Sequence, residues 1–146
     1  MSSEPEIRIP HDLLGREVDL GEVTVTRDMI AAYVRAVGDD TSLGGSLEEA
    51  PPTFCLTLRR GLTPDIPLPP GTFGVYGGHD LEFLQPIRAG RRYRISARVV
   101  DVFEKSGRSG ALTVVVREAT IREEDGSPAV RITERQIIRA RPPGPC

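Results

Sequence analysis

Asp39 and Asp40 are the residues best placed for chemistry in this chain of 146 residues. They follow Gly38 and open a loop, Asp39-Asp40-Thr41-Ser42-Leu43-Gly44, which leads on to Ala50-Pro51-Pro52-Thr53-Phe54. A carboxylate there can orient a water or take a proton. Moving protons both ways near neutral pH needs a second group of different pKa, and histidine is the side chain that supplies it. This loop contains none. The two histidines of the chain are His11, in an unpatterned N-terminal segment, and His79, far along the sequence. His79 can complete the chemistry only if the fold brings it to Asp39. Aspartate after a helix-ending glycine also serves turn formation, so both carboxylates have a structural reading beside the chemical one.

Other reactive side chains carry weaker signals. Tyr33 lies on an apolar helical stripe, where tyrosine is more often core than ligand. Cys55 reads as a small buried hydrophobe. Arg59 and Arg60 read as charges at a helix C-terminus, with contact to a phosphate as the alternative. No Cys/His spacing suits zinc, and neither a phosphate-cradling loop nor a nucleophile elbow occurs, so no metal or cofactor is expected.

The elements that must position these residues follow from patterning. Glu17 to Thr26 alternates and predicts a strand. Thr26 is suited to cap a helix whose stripe is Ile30, Tyr33, Val34 and Val37, with Gly38 as its left-handed stop. Pro51 and Pro52 suit the first turn of a second, mostly apolar helix over about 51–60, with Phe54, Cys55 and Leu58 facing one way. The proline-rich stretch 63–72 predicts an irregular loop. Strands are expected over 79–84, 92–103, 111–122 and 130–140, with Asp125-Gly126 as a hairpin turn. One helix-length apolar segment and five strands without crossover helices imply an α+β domain with an antiparallel sheet wrapped around the 51–60 helix.

Length implies one domain over 1–146, with an irregular segment at 1–16 and a frayed tail at 141–146. A formal net charge of −2 gives no basis for binding nucleic acid or an anionic membrane. Of the 19 Lys and Arg residues only Lys105 is lysine, which reads as coding bias rather than function. Cys55 and Cys146 do not form a disulfide framework, no apolar run approaches the roughly 20 residues of a membrane span, and residues 1–6 lack the features of a secretory signal. A cytoplasmic location is therefore expected.

Three stretches together resemble one family. Tyr33 to Asp39 is similar to its Tyr-x-x-x-x-Gly-Asp, Ala50-Pro51-Pro52-Thr53-Phe54 to the start of its central helix, and Gly78 to Gly90 to its strand leading into Pro-x-x-x-Gly. The family is that of the MaoC-like dehydratases and (R)-specific enoyl-CoA hydratases. Over about residues 10–140 the chain resembles its N-terminal, substrate-binding half-domain. The resemblance implies a hot-dog fold, one five-stranded antiparallel sheet around a central helix. Active members carry Gly-Asp-x-Asn-Pro-x-His, in which carboxylate and imidazole hold the water that adds across an enoyl double bond. Here Asp39 is kept, Thr41 and Ser42 stand for Asn and Pro, and Gly44 stands for His.

The implied role is a catalytically degenerate subunit that binds an acyl-CoA or acyl-carrier-protein thioester beside a partner hot-dog subunit. Asp39 then reads as a vestigial catalytic residue, and Tyr33, Asp40, Pro52, Thr53, Phe54 and His79 contact substrate. Backbone N–H groups near Pro52 to Phe54 would polarise the thioester carbonyl. The alternatives are a stand-alone homodimeric hydratase using Asp39 with His79, a thioesterase using Asp39 or Asp40, and a non-enzymatic binding module.

Overall fold

The computed structural model describes residues 13–39, 47–59, 61–108 and 110–141. Five strands form one sheet: β1 (Val18–Thr24), β2 (Thr72–Phe83), β3 (Arg92–Gly107), β4 (Gly110–Arg122) and β5 (Pro128–Ala140). Their order is β1-β3-β4-β5-β2, and every neighbouring pair is antiparallel. β1 and β2 are therefore the two edges. This is the architecture expected from the alternating patterns, with one face of the sheet buried.

Local signals explain α1 (Arg27–Val37), the single α-helix among the described residues. Thr26 Oγ1 accepts from Met29 N at 3.2 Å, and Asp28 faces the positive end of the helix dipole. Gly38 stops the helix at φ 75°, where Asp39 N donates to Val34 O at 3.0 Å. Ile30, Ala31 and Val34 are buried. Val37, placed on that stripe by spacing, is exposed, because the buried stripe ends one turn before Gly38 turns the chain away.

The second helix differs from the expectation. It is a 3₁₀ helix over Pro52–Thr57 rather than an α-helix over 51–60. Its bonds span three residues, from Phe54 N to Pro51 O (3.0 Å) and from Leu58 N to Cys55 O (3.1 Å). Side chains reinforce the tight winding: Thr57 Oγ1 donates to Phe54 O at 2.7 Å and Cys55 Sγ contacts Pro52 O at 3.2 Å. Prolines at its entry contribute no N–H, and Gly61 turns the chain at φ 65°. The helix is still central. Phe54, Cys55 and Leu58 are buried against Ile95, Ala97, Ala119, Ile121, Val130 and Ile132 of the sheet and Ile30 and Val34 of α1. A second buried cluster, Ile66, Val99, Val115 and Ile138, lies under the 61–71 loop.

β2 starts at Thr72, well before the expected His79. Gly77 and Gly78 look like a strand boundary in the sequence but form a bulge. Tyr76 pairs with Gln136 and His79 with Glu134, so three steps on β2 match two on β5. Gly78 has φ 109°, and a Cβ on Gly77 would come within 3.1 Å of Arg135 O and the Ile137 side chain. The left-handed φ favours glycine at Gly78, and a side chain at Gly77 would require Arg135 O or the Ile137 side chain to give way. The other strand boundaries move by a few residues, with β3 running on to Gly107 and β5 starting at Pro128.

Cys55 is fully buried, and burial pushes its thiol up to about 11. We expect Cys55 to resist iodoacetamide in native protein at pH 8 and to react on unfolding, as mass spectrometry of the labelled peptide would show. Native labelling at a free-thiol rate would contradict its place in the core.

Candidate active site

The sequence-predicted residues divide into a helical group and a strand group. In the first, the Tyr33 hydroxyl is hydrogen-bonded to Thr53 Oγ1, and the Tyr33 and Phe54 rings meet edge to face at 5.7 Å and 84°. α1 is thereby fastened to the central 3₁₀ helix, with Asp39 half-buried at the end of α1. Asp40 and Gly44 lie outside the described residues.

The donors expected at the start of the central helix are fewer than the sequence reading assumed. Pro52 has no N–H, and Phe54 N is already bonded to Pro51 O. Of the three positions, only Thr53 can offer its N–H to a carbonyl. At the preceding Pro52 lies an open cavity of about 380 Å³, walled by the apolar Ala50, Pro51, Pro52, Phe83, Leu84 and Ile87 together with the polar Glu49 and Gln85, and not by Thr53 itself. Phe83 and Leu84 remain exposed, so the cavity has an apolar rim at the end of edge strand β2.

The strand group centres on His79, whose Nδ1 is 2.5 Å from the Tyr76 hydroxyl. In a regular strand, residues three apart face opposite sides. The two-glycine bulge restores them to one side. Next to them, Glu134 on β5 is almost fully buried and receives Arg59 Nη1 at 2.6 Å. Arg59 is thus a core ion-pair partner rather than a solvated charge at a helix end, and its guanidinium lies 5.9 Å from the centre of the Tyr76 ring. Arg60 lies outside the described residues. Arg117 on β4 is also buried, donating from Nε to Pro64 O (2.9 Å) and from Nη1 to Gln136 Oε1 (2.7 Å).

Burial raises the carboxyl pKa of Glu134, against the opposing charges of Arg59, His79 and Arg117. Burial lowers that of Arg117, which Asp65 and Glu134 partly offset. Burial and the Glu134 charge raise that of Tyr76, with Arg59 and Arg135 opposing.

The sequence reading missed Glu134, Arg117 and Tyr76. A signal existed for two of them. Along β5, Val130, Ile132, Glu134, Gln136 and Ile138 occupy alternate positions, so the polar pair falls on the apolar face. Along β4, Arg117 stands between Val115 and Ala119 in the same way. Among the described residues, no group of three or more His, Cys, Asp or Glu side chains is assembled for a metal, and no helix is long and apolar enough to cross a membrane.

Residues 12–132 match the model of the FAS1-like dehydratase domain region, which is most of the chain. The chain belongs to that family. Its fold is the hot-dog fold of the MaoC-like dehydratases. The MaoC-like dehydratase of Rhodospirillum rubrum is 19% identical, with a TM-score of 0.59 over 89% of this chain and 94% of that one. The ChsH1-ChsH2 complex of Mycobacterium tuberculosis gives 16% identity and a TM-score of 0.64, covering 90% and 86%. The HadBC (3R-hydroxyacyl-ACP dehydratase) complex of the same organism gives 17% and 0.62, covering 88% and 99%. No curated protein matches in sequence.

Proposed function

We propose that this chain is the substrate-binding hot-dog subunit of a cytoplasmic acyl-thioester dehydratase or enoyl hydratase, working as a single domain beside a partner that carries the intact Asp/His pair. One observation carries this reading: the family's Gly-Asp is kept as Gly38-Asp39, while its histidine position is Gly44. Asp39 can orient water but has no imidazole in its loop to return the second proton. The acyl-thioester, as CoA or carrier-protein ester, lies along the apolar-rimmed cavity at Ala50 and Phe83, with the Thr53 N–H beside its carbonyl. Two of the similar structures are complexes, which supports a second hot-dog chain as partner.

The free edge of β2 supports assembly. Val75, Tyr76 and Phe83 are 44%, 45% and 50% exposed along it, and an uncovered edge with apolar side chains invites pairing. A dimer or dimer of dimers is expected in solution, with a second copy where the partner chain is absent. Light scattering at micromolar concentration would test this, and a stable species at the 15.9 kDa chain mass would count against it.

Ala50 tests the cavity. Ala50→Phe fills space between Pro52 and Phe83, so it should shift the preferred acyl length downward while leaving the fold intact. Competition between short and long acyl-CoA esters for the assembled enzyme would show it, and an unchanged preference would remove Ala50 from the binding surface.

A second reading is a stand-alone enzyme. The hydrogen-bonded His79–Tyr76 pair beside buried Glu134 favours it, because an oriented imidazole is a competent base. Activity of the pure chain that depends on His79 would establish it in place of the first reading.

A further inference from the structure

We infer that the outward face of the sheet is a docking surface for a second copy of this chain, packed back to back around Val114. The inference goes beyond the acyl-thioester reading and does not depend on which chain pairs with the edge of β2.

The outward face divides into an apolar and an ionic half. Residues directly opposite each other on neighbouring strands share a face. Phe103 pairs with Val114, Val114 with Ile137, and Ile137 with Val75. Four apolar side chains therefore run as one row across β3, β4, β5 and β2. The row belongs to neither buried cluster. Val114 and Val115 are successive residues of β4, so they point to opposite faces. The two helices pack on the Val115 side, against Ala119 and Ile132, and Ile66 of the 61–71 loop packs there on Val99, Val115 and Ile138. Within the row Val114 is buried, and Val75 at its end is exposed. Farther along the strands the same face turns ionic. Arg98 pairs with Glu118 (3.1 Å), Arg131 with Glu82 (3.4 Å) and Arg122 with Glu17 (3.4 Å). Such pairs remain solvated. A contiguous apolar row beside them marks an interaction site.

The flanks of the row say what fits it. On one side, across the same four strands, stand Lys105, Leu112, Arg139 and Phe73. On the other stand Asp101, Val116 and Arg135, with Gly77 at the bulge beside Ile137. Turn a second copy by 180° about an axis that lies between the two sheets and runs across the strands over the row. The row then meets itself, and each flank meets the other. Lys105 faces Asp101, Leu112 faces Val116, and the Phe73 ring faces Gly77, which has no side chain to oppose it. Arg139 faces the Arg135–Asp80 ion pair (2.8 Å). The match is cation to anion, apolar to apolar and large to small, and the two-fold axis makes each contact twice. Strands of the two copies stay aligned, as in other sheets packed face to face. A second copy of the chain supplies this order of groups without further requirement.

The test follows the mass of the full chain by sedimentation equilibrium over roughly 1–100 μM. Mass should double reversibly with concentration, starting from the species that the β2 edge forms. Lys105→Glu should weaken this doubling about tenfold or more, because it sets like charges opposite Asp101 at two places. Asp101→Lys/Lys105→Glu should restore it, since the exchanged charges match again. Asp101 and Lys105 are exposed, so these changes spare the core. Ile137→Glu should abolish the doubling. A wild-type mass that never doubles, a doubling untouched by Lys105→Glu and Ile137→Glu, or a loss that the exchanged pair fails to recover would each overturn the inference. The β2-edge assembly survives all three if the smaller species still contains two chains. Should residues 1–12 or 142–146 cover the row instead, the wild-type mass would stay constant and Ile137→Glu would lower the unfolding midpoint, which also overturns the inference.

Discussion

Purified alone, the chain should hydrate trans-2-enoyl-CoA about 10²–10⁴-fold more slowly than a hot-dog hydratase with an intact Asp/His pair. Addition of water to an enoyl thioester needs a proton removed from the water and one delivered to the α-carbon. Gly44 offers no side chain for either task, and Asp39 can serve at most one of them. Losing positioned proton transfer of this kind corresponds to about 3–5 kcal/mol of barrier. Binding should survive better than turnover, because the cavity beside Ala50 and the Thr53 N–H do not depend on the missing imidazole. A spectrophotometric assay of enoyl absorbance, with acyl-CoA binding measured in parallel, separates the two. Tight binding with negligible turnover is the expected pattern.

Arg59→Ala should destabilise the fold by about 3–5 kcal/mol at neutral pH, the range for breaking one side of a buried ion pair. The substitution leaves the Glu134 carboxyl buried without its cation. The double replacement Arg59→Leu/Glu134→Leu should cost far less, because it removes both desolvation penalties together. Acidity supplies a second check. Burial raises the carboxyl pKa of Glu134 in the folded chain above its ordinary value of 4.5. The folded state therefore holds this proton more firmly than the unfolded state. The corresponding stability is fully present below 4.5 and is lost as pH rises through the folded pKa. Glu134→Gln should accordingly gain on the wild type as pH rises through that window, and the penalty of Arg59→Ala should shrink as pH falls. Urea midpoints across the acid range would test both trends. A single-variant penalty equal to that of the double variant would mean that the pair does not act as a unit.

Much of the scaffold was legible because its signals are local. Thr26 and Gly38 bracket α1 through bonds within one turn of each residue. Asp125-Gly126 makes its hairpin with Gly126 at φ 88° and Ser127 N bonded to Asp125 Oδ1 at 2.9 Å. Alternation along the first half of β3 follows burial except at Ser96, whereas β4 buries consecutive residues at Thr113–Val115 and Ala119–Ile121.

What was not legible depends on contacts distant in sequence or on choices that composition leaves open. Two prolines suit the first turn of either kind of helix, so the 3₁₀ winding at Pro52–Thr57 could not be told from an α-helix. Gly77-Gly78 reads equally as a strand end or a bulge, and only pairing with β5 decides it. The Arg59–Glu134 pair joins residues 75 apart. The candidate site was half visible: Tyr33, Thr53 and Phe54 do come together, and the helical period that brings Tyr33 round was in the sequence. His79 was singled out, but its Tyr76 neighbour was hidden by the bulge.

The most direct test is to purify the tagged chain from its native host at native abundance, identify what elutes with it, and assay the eluate for enoyl-thioester hydration with wild-type or Asp39→Asn chain. The account predicts a second hot-dog protein carrying an Asp/His pair, and a rate unchanged by Asp39→Asn. A chain that elutes alone, hydrates enoyl-CoA and loses that activity with Asp39→Asn would contradict it.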